Sequence, residues 1–366
     1  MKQFFTALFS FVSLLSLAQK QTYLLVGTYT AGKSKGIHVY RFNSGNGEAS
    51  LVDSAVTANP SYLAVSPNED FVYAVNEQSS GKVTAFRFNV ANGHLTELNQ
   101  QSSMGADPCY ITVANNGKWV VVGNYSSGTL AVLPVQADGS LGAAVTEVQH
   151  RGSSVHARQQ SPHVHATVLS ENNRFLYVPD LGKDKLMIYA FNDQTGSLTP
   201  KDTTLKLADA SGPRHFIFHP NGRWGYLVQE LSGNVTAFQY NNGDLKPFQT
   251  ISALPKGFTK PFSGADIHVS ADGRFLYASL RDEANTLAIF SINKATGGLR
   301  LIGHQSTLGK TPRNFNFDPT GNYLLAANQN SDDIVVFKVN KKTGKLKDTG
   351  IKIDVGNPVC IKWITQ

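Results

Sequence analysis

Short apolar runs with alternating character recur along nearly the whole chain, and turns rich in Pro, Gly, Asn and Asp separate them. A typical stretch begins with Tyr62-Leu63-Ala64-Val65 and turns through Pro67-Asn68-Glu69-Asp70. It continues as Phe71-Val72-Tyr73-Ala74-Val75 and then Val83-Thr84-Ala85-Phe86-Arg87-Phe88. Side chains alternate between the two faces of a strand, so these runs predict β-strands, and the β-branched and aromatic residues in them suit that geometry. Pro presets φ early in each turn, and Gly or Asn takes its left-handed position. No segment of useful length carries a helical period.

The strands form a repeating unit. Units open at Asn59-Pro60-Ser61, Asp107-Pro108-Cys109, Ser161-Pro162-His163, Gly212-Pro213-Arg214, Gly264-Ala265-Asp266 and Thr311-Pro312-Arg313, which places them 47 to 54 residues apart. A period near fifty with four strands per unit predicts propeller blades. Residues 23–53 supply a second, third and fourth strand without a first, whereas Asn357 to Trp363 reads as a first strand alone. Pairing the two ends completes a seventh blade and hides the open sheet edge. The fold expected is all-β, a seven-bladed β-propeller whose ring is closed by its N- and C-terminal strands.

Composition refines this reading. Lys2 and the apolar run Phe4 to Leu17, with Ser16 and Ala18 behind it, read as a signal peptide over residues 1–18. The propeller then spans residues 19–366, and the protein is expected to be exported, periplasmic or secreted. The apolar run is short for a membrane span, and no Cys follows the cut to carry a lipid anchor. Cys109 and Cys360 open non-neighbouring repeats, so no disulfide is expected between them. The formal charge of +7 comes from scattered Lys and Arg, without the basic clusters interleaved with aromatics that nucleic-acid binding wants. A small anionic ligand remains open.

First strands line the axis of a propeller, so equivalent positions form rings around the channel. One ring is Ser61, Cys109, His163, Arg214, Ala265, Arg313 and Val359. The ends of the second strands give another: Tyr29, Asn76-Glu77, Asn124-Tyr125, Asp180, Glu230, Arg281 and Asn328-Gln329. Together they bring His163, His165, Arg214, His215, Glu230 and Arg281 toward one mouth. Tyr125, His215, Asn76, Glu77, Asp266 and Arg313 are candidate substrate contacts. Each polar group also has a structural alternative. The histidines, two apart on one strand face, could bond each other, Arg214 could pair with Glu230, and Asp180 and Asp184 could brace a turn. No phosphate loop, zinc motif or nucleophile elbow is present, and the arginines oppose a cation beside the histidines. No cofactor and no metal are expected.

At these residues the chain resembles the lactonase family of seven-bladed propellers, of the 6-phosphogluconolactonase and carboxymuconate-lactonizing type. The resemblance runs through Gly27-Thr28-Tyr29-Thr30, Asn124-Tyr125-Ser126-Ser127-Gly128, Pro162-His163-Val164-His165, Gly212-Pro213-Arg214-His215 and Glu230-Leu231. It continues through Asp272-Gly273-Arg274-Phe275-Leu276-Tyr277 and covers essentially residues 19–366. Two departures touch the rim: Ser279-Leu280-Arg281-Asp282 stands where the family usually has Ser-Asn-Arg-Gly, and Ala265-Asp266-Ile267 replaces Ala-Glu-Ile. The resemblance implies a metal-independent hydrolase that opens a sugar lactone, expected to be anionic from the charge of its pocket, with His163, His165, Arg214, Glu230 and Arg281 as catalytic candidates. A lactone-forming cycloisomerase and a non-catalytic binding propeller are the alternatives. Protein partners are not indicated.

Overall fold

In a computed structural model of the protein, which describes residues 21–366, seven antiparallel sheets stand around one axis, six of four strands and one whose outer strand is split into Leu198–Pro200 and Leu205–Lys206. Six of the seven are continuous in sequence and are called blades 1 to 6: residues 63–102, 108–149, 164–206, 213–252, 264–306 and 312–354. The seventh has the order Pro358–Thr365, Thr22–Thr28, Gly36–Phe42, Ala49–Val56, so the last strand of the chain becomes the innermost strand of this closing blade. Tyr23 lies opposite Ile364, and Val26 opposite Ile361. The backbone N–H of Leu63 donates to Cys360 Sγ at 3.3 Å and that of Thr365 to Glu69 Oε2 at 2.8 Å, which stitches the closing strand onto blade 1. The predicted terminal closure is therefore the observed one. Cys109 and Cys360 are buried and free. The signal-peptide reading of residues 1–18 lies outside the described residues.

The second strand of a blade is covered on both faces by its neighbours. Trp119–Asn124, Phe175–Asp180, Trp224–Gln229, Phe275–Leu280 and Tyr323–Asn328 are buried along their whole length. That explains why their apolar runs are continuous rather than alternating. Outer strands such as Asp244–Ser252 have one wet face and alternate.

A repeated polar latch crosses each blade interface. Tyr23, Tyr73, Tyr177, Tyr226, Tyr277 and Tyr323 donate their hydroxyls to the carbonyls of Val90, Gly139, Gly243, Gly297, Gly344 and Gly45 in the outer hairpin of the next blade. Between blades 2 and 3 the Trp119 indole N–H plays this part, donating to the Asp193 carbonyl at 2.7 Å. Four of the receiving glycines, Gly139, Gly243, Gly297 and Gly344, have positive φ. At Gly297 (φ +73°) an added Cβ would also stand 2.5 Å from the Trp224 ring. The hairpin needs the conformation and the interface needs the space.

First strands are less regular than their sequence suggests. In blade 3 only Val168–Leu169 pairs as a strand, with one isolated bridge from Val164 to Asp180. In blades 2, 4, 5 and 6 the ladder shifts register at the mouth, between Pro108 and Tyr110, Pro213 and His215, Gly264 and Ile267, and Pro312 and Asn314. Such bulges re-aim side chains, and they fall where the candidate residues lie.

Candidate active site at the channel mouth

In five of the seven blades the second strand ends in two residues with separate duties. The first is buried and braces the turn. Asn76 donates to Thr57 Oγ1 and the Ala58 carbonyl and accepts from Thr84. Asn124 donates to the Ser103 carbonyl and Thr129, and Asn328 to the Thr307 carbonyl and Asp333. The second residue turns inward over the axis: Tyr29, Glu77, Tyr125, Glu230 and Arg281. These five, with Cys109, Arg158, His165 and Arg313, line a cavity of about 220 Å³.

Glu230 is its electrostatic centre. The carboxylate is 3% exposed and meets three guanidiniums: Arg214 Nε at 2.8 Å and Arg281 Nη2 at 3.0 Å on Oε2, and Arg158 Nη2 at 2.5 Å on Oε1. Burial alone would raise its pKa, but Arg281, Arg214 and Arg158 outweigh that and hold it down to about 2. His165 Nε2 lies 3.8 Å from Oε2, and its Nδ1 lies 3.7 Å from Cys109 Sγ. Burial, helped by the Arg214 charge, pushes His165 well below its usual range, so the imidazole is neutral. Burial also pulls Arg281 down to about 10. Its Nη2 reaches Glu230 and the Gly264 carbonyl, whereas its Nε is buried with no partner among the described residues. On the opposite wall, Glu77 accepts the Tyr29 hydroxyl at 2.9 Å through both oxygens, and the Arg313 guanidinium lies 5.4 Å from the Tyr29 ring centroid.

Beneath the cavity runs a buried polar column. Arg214 donates through Nη1 to the Ala265 carbonyl at 2.6 Å and to His215 Nε2 at 3.1 Å. A guanidinium can only donate, so His215 Nε2 accepts and its proton sits on Nδ1, 2.8 Å from Asp266 Oδ1. Burial and then Arg214 lower His215 to about 4. Asp266 Oδ2 receives His268 Nε2 at 3.0 Å and Asn314 Nδ2 at 2.5 Å. Burial opposes the Asp266 charge, but His268 and His215 hold the carboxyl well below its usual range.

The structure therefore divides the expected residues. His165, Glu230, Arg281, Tyr125, Glu77 and Arg313 converge on the cavity. Arg214, expected at the mouth, lies behind Glu230 with Nε and Nη1 occupied. His215 and Asp266, expected as substrate contacts, form the column that holds Arg214, and Asn76 is wholly committed to its turn. Both histidine rings contact Tyr125, His165 edge-on with centroids 5.3 Å apart, but of the two only His165 lines the cavity. The His163 ring stacks on Tyr125 at 4.4 Å and bonds the Tyr125 carbonyl through Nδ1. Asp180 and Asp184 brace turns, as their structural alternative supposes. Asp180 accepts from His150 Nδ1 at 2.6 Å and from the His163 and Gly182 amides, and Asp184 accepts from Ser154, Gln159, Ala210, Ser211 and Gly212.

Sequence reasoning missed Arg158. It belongs to the long connection between Thr146–Gln149 and Val164, outside the repeat, where a positional comparison of blades has nothing to align. The extra length of that unit was the available signal. A larger groove of about 1100 Å³ opens on the flank between blade 6 and the closing blade, along Tyr40, Phe42, Lys352 and Asp354. It lies off the axis and gathers no comparable cluster of charged groups.

Comparison with known proteins agrees with this architecture. The model of the family described as lactonase, 7-bladed beta-propeller, matches residues 23–363. The chain is 37% identical to a 6-phosphogluconolactonase of Bacillus subtilis, over 93% of this chain and 98% of that one, and 40% identical to a 6-phosphogluconolactonase of Formosa agariphila, over 93% and 99%. The periplasmic gluconolactonase of Pseudomonas aeruginosa superposes with a TM-score of 0.91 at 38% identity, covering 94% of this chain and 99% of that structure. With the family model spanning nearly every described residue, the chain belongs to the seven-bladed β-propeller lactonase family.

Proposed function

We propose that the protein hydrolyses the ester bond of an acidic sugar lactone at the mouth of its channel. The observation that carries this reading is the buried Nε–H of Arg281, without a partner among the described residues, beside a neutral imidazole and a carboxylate that is ionised at neutral pH. Ester hydrolysis needs those three functions. Arg281 donates to the carbonyl oxygen as it gains charge, in a site where water is largely excluded and a fixed donor is most effective. His165 takes a proton from the attacking water and passes it to the ring oxygen as the C–O bond breaks. Glu230, held as a carboxylate by its guanidiniums, stabilises the imidazolium formed in between. Arg214 acts through Glu230 as a positioning residue. The acidic character of the substrate is supported by four guanidiniums, Arg158, Arg214, Arg281 and Arg313, facing two carboxylates, Glu77 and Glu230. The signal-like residues 1–18 further support an enzyme that works outside the cytoplasm.

Arg281→Met tests the oxyanion role. Loss of one such donor is expected to lower kcat by a factor on the order of 10² to 10³, with a much smaller effect on KM. Unchanged kcat, in a variant that retains its thermal transition, would remove Arg281 from the reaction.

A further inference from the structure

Of the three cations on Glu230, two are built in and one is not. Arg214 and Arg281 are buried and tied to the Ala265 and Gly264 carbonyls. The Arg158 side chain is 47% exposed, and among the described residues its one hydrogen-bond partner besides Glu230 is the Tyr125 hydroxyl, at 3.4 Å. Its backbone is nonetheless fixed. The adjacent Gln159 is fully buried and donates to the Leu181 carbonyl and to Asp184 Oδ1, both at 2.7 Å. Ser154 bonds Asp184 at 2.6 Å, and His150, at the root of the connection, is held between Asp180 and Tyr189. A half-exposed guanidinium thus projects from a hydrogen-bonded connection into a cavity that it shares with Glu230, His165 and Arg281.

We propose that Arg158 is a substrate-operated latch: it rests on Glu230 in the unliganded enzyme and transfers to an anionic group on the incoming lactone, which makes it the residue that selects acidic lactones over neutral ones. The inference rests on the lactonase reading above. When Arg158 leaves, Glu230 keeps Arg214 and Arg281 and is not left unpaired, and a phosphate or carboxylate offers the planar fork of Arg158 a two-point contact in exchange. A neutral lactone offers none, so with such a substrate Arg158 stays on Glu230. Departure of the latch exposes Oε1 and leaves Glu230 with two guanidiniums, and more of its charge is then available to the His165 imidazolium. The anion that marks the right substrate also prepares the site.

The test compares wild type with Arg158→Gln and Arg158→Lys on three ligands that differ only at carbon six: gluconate (alcohol), glucarate (carboxylate) and 6-phosphogluconate (phosphate). Binding is measured calorimetrically, and turnover is measured with the corresponding lactones. In Arg158→Gln the preference for the phosphate or the carboxylate over the alcohol is expected to fall at least tenfold, in binding and in kcat/KM, with partial recovery in Arg158→Lys. Whichever acidic ligand loses its advantage identifies the anion that the latch accepts. An unchanged preference, or an equal loss on all three ligands, overturns the latch. Should wild type open none of the lactones, the hydrolase reading fails, while the binding preferences still decide whether Arg158 recognises the anion.

Discussion

Glu230 is surrounded by three guanidiniums because the repeat brings the second-strand ends of blades 4 and 5 and the inner strand of blade 4 to one mouth, while blade 3 contributes an extra connection. A carboxyl held at about 2 is a weak proton acceptor, and for that reason the proposed base is the neutral His165 and not Glu230. The same shifts govern acid stability. The folded Glu230 carboxyl lies below its ordinary 4.5, so its contribution is present above pH 4.5 and fades as pH falls toward 2. Folded His215 lies at about 4 against an ordinary 6.5, so the fold resists its protonation and loses stability as pH falls from 6.5 toward 4. Thermal unfolding is therefore expected to weaken first between pH 6.5 and 4. His215→Asn should flatten that limb, and an identical slope in the variant would show that His215 is not among the groups responsible.

At the scale of elements, the two-residue ends of the second strands explain what the sequence revealed and what it hid. Candidates at the second position, Glu77, Tyr125, Glu230 and Arg281, reached the cavity. Asn76, at the first position, did not. Asn recurs there in three blades, at 76, 124 and 328, and that recurrence marks a shared turn, whereas the inward residue changes from blade to blade as a one-sided binding site requires. The bulges in the first strands were not legible, since nothing in an apolar run announces a register shift. They explain why Arg214, His215 and Asp266 form a column below the site rather than its wall. The connection over residues 150–162 depends on buried Gln159. Gln159→Leu leaves the Asp184 carboxylate and the Leu181 carbonyl short of a donor and is expected to cost about 1–3 kcal/mol. It should also weaken the preference for acidic ligands, although Arg158 itself is intact. Full retention of both would mean that the connection holds Arg158 by other means.

Across the whole molecule, ring closure was readable because the first repeat lacks its inner strand and the chain ends on one. The interblade latches were not, since a sequence shows a tyrosine and a glycine hairpin without saying that they meet around a ring. Each buried hydroxyl satisfies a carbonyl that would otherwise be unpaired, so Tyr226→Phe is expected to destabilise the fold by about 1–3 kcal/mol, seen as a lower Tm with activity retained at moderate temperature. An unchanged Tm would make these bonds incidental. Closure matters to function because groups on five different blades, Tyr29, Glu77, Tyr125, Glu230 and Arg281, can meet over the axis only if the ring is complete. The most direct measurement of the central claim is acid release from a sugar lactone at constant pH, by the wild type and by a correctly folded Glu230→Gln variant. The account predicts release well above the spontaneous rate in the wild type and, because the variant lacks the carboxylate that stabilises the imidazolium, a loss of up to about 10⁴ in the variant. Equal rates in the two proteins would contradict it.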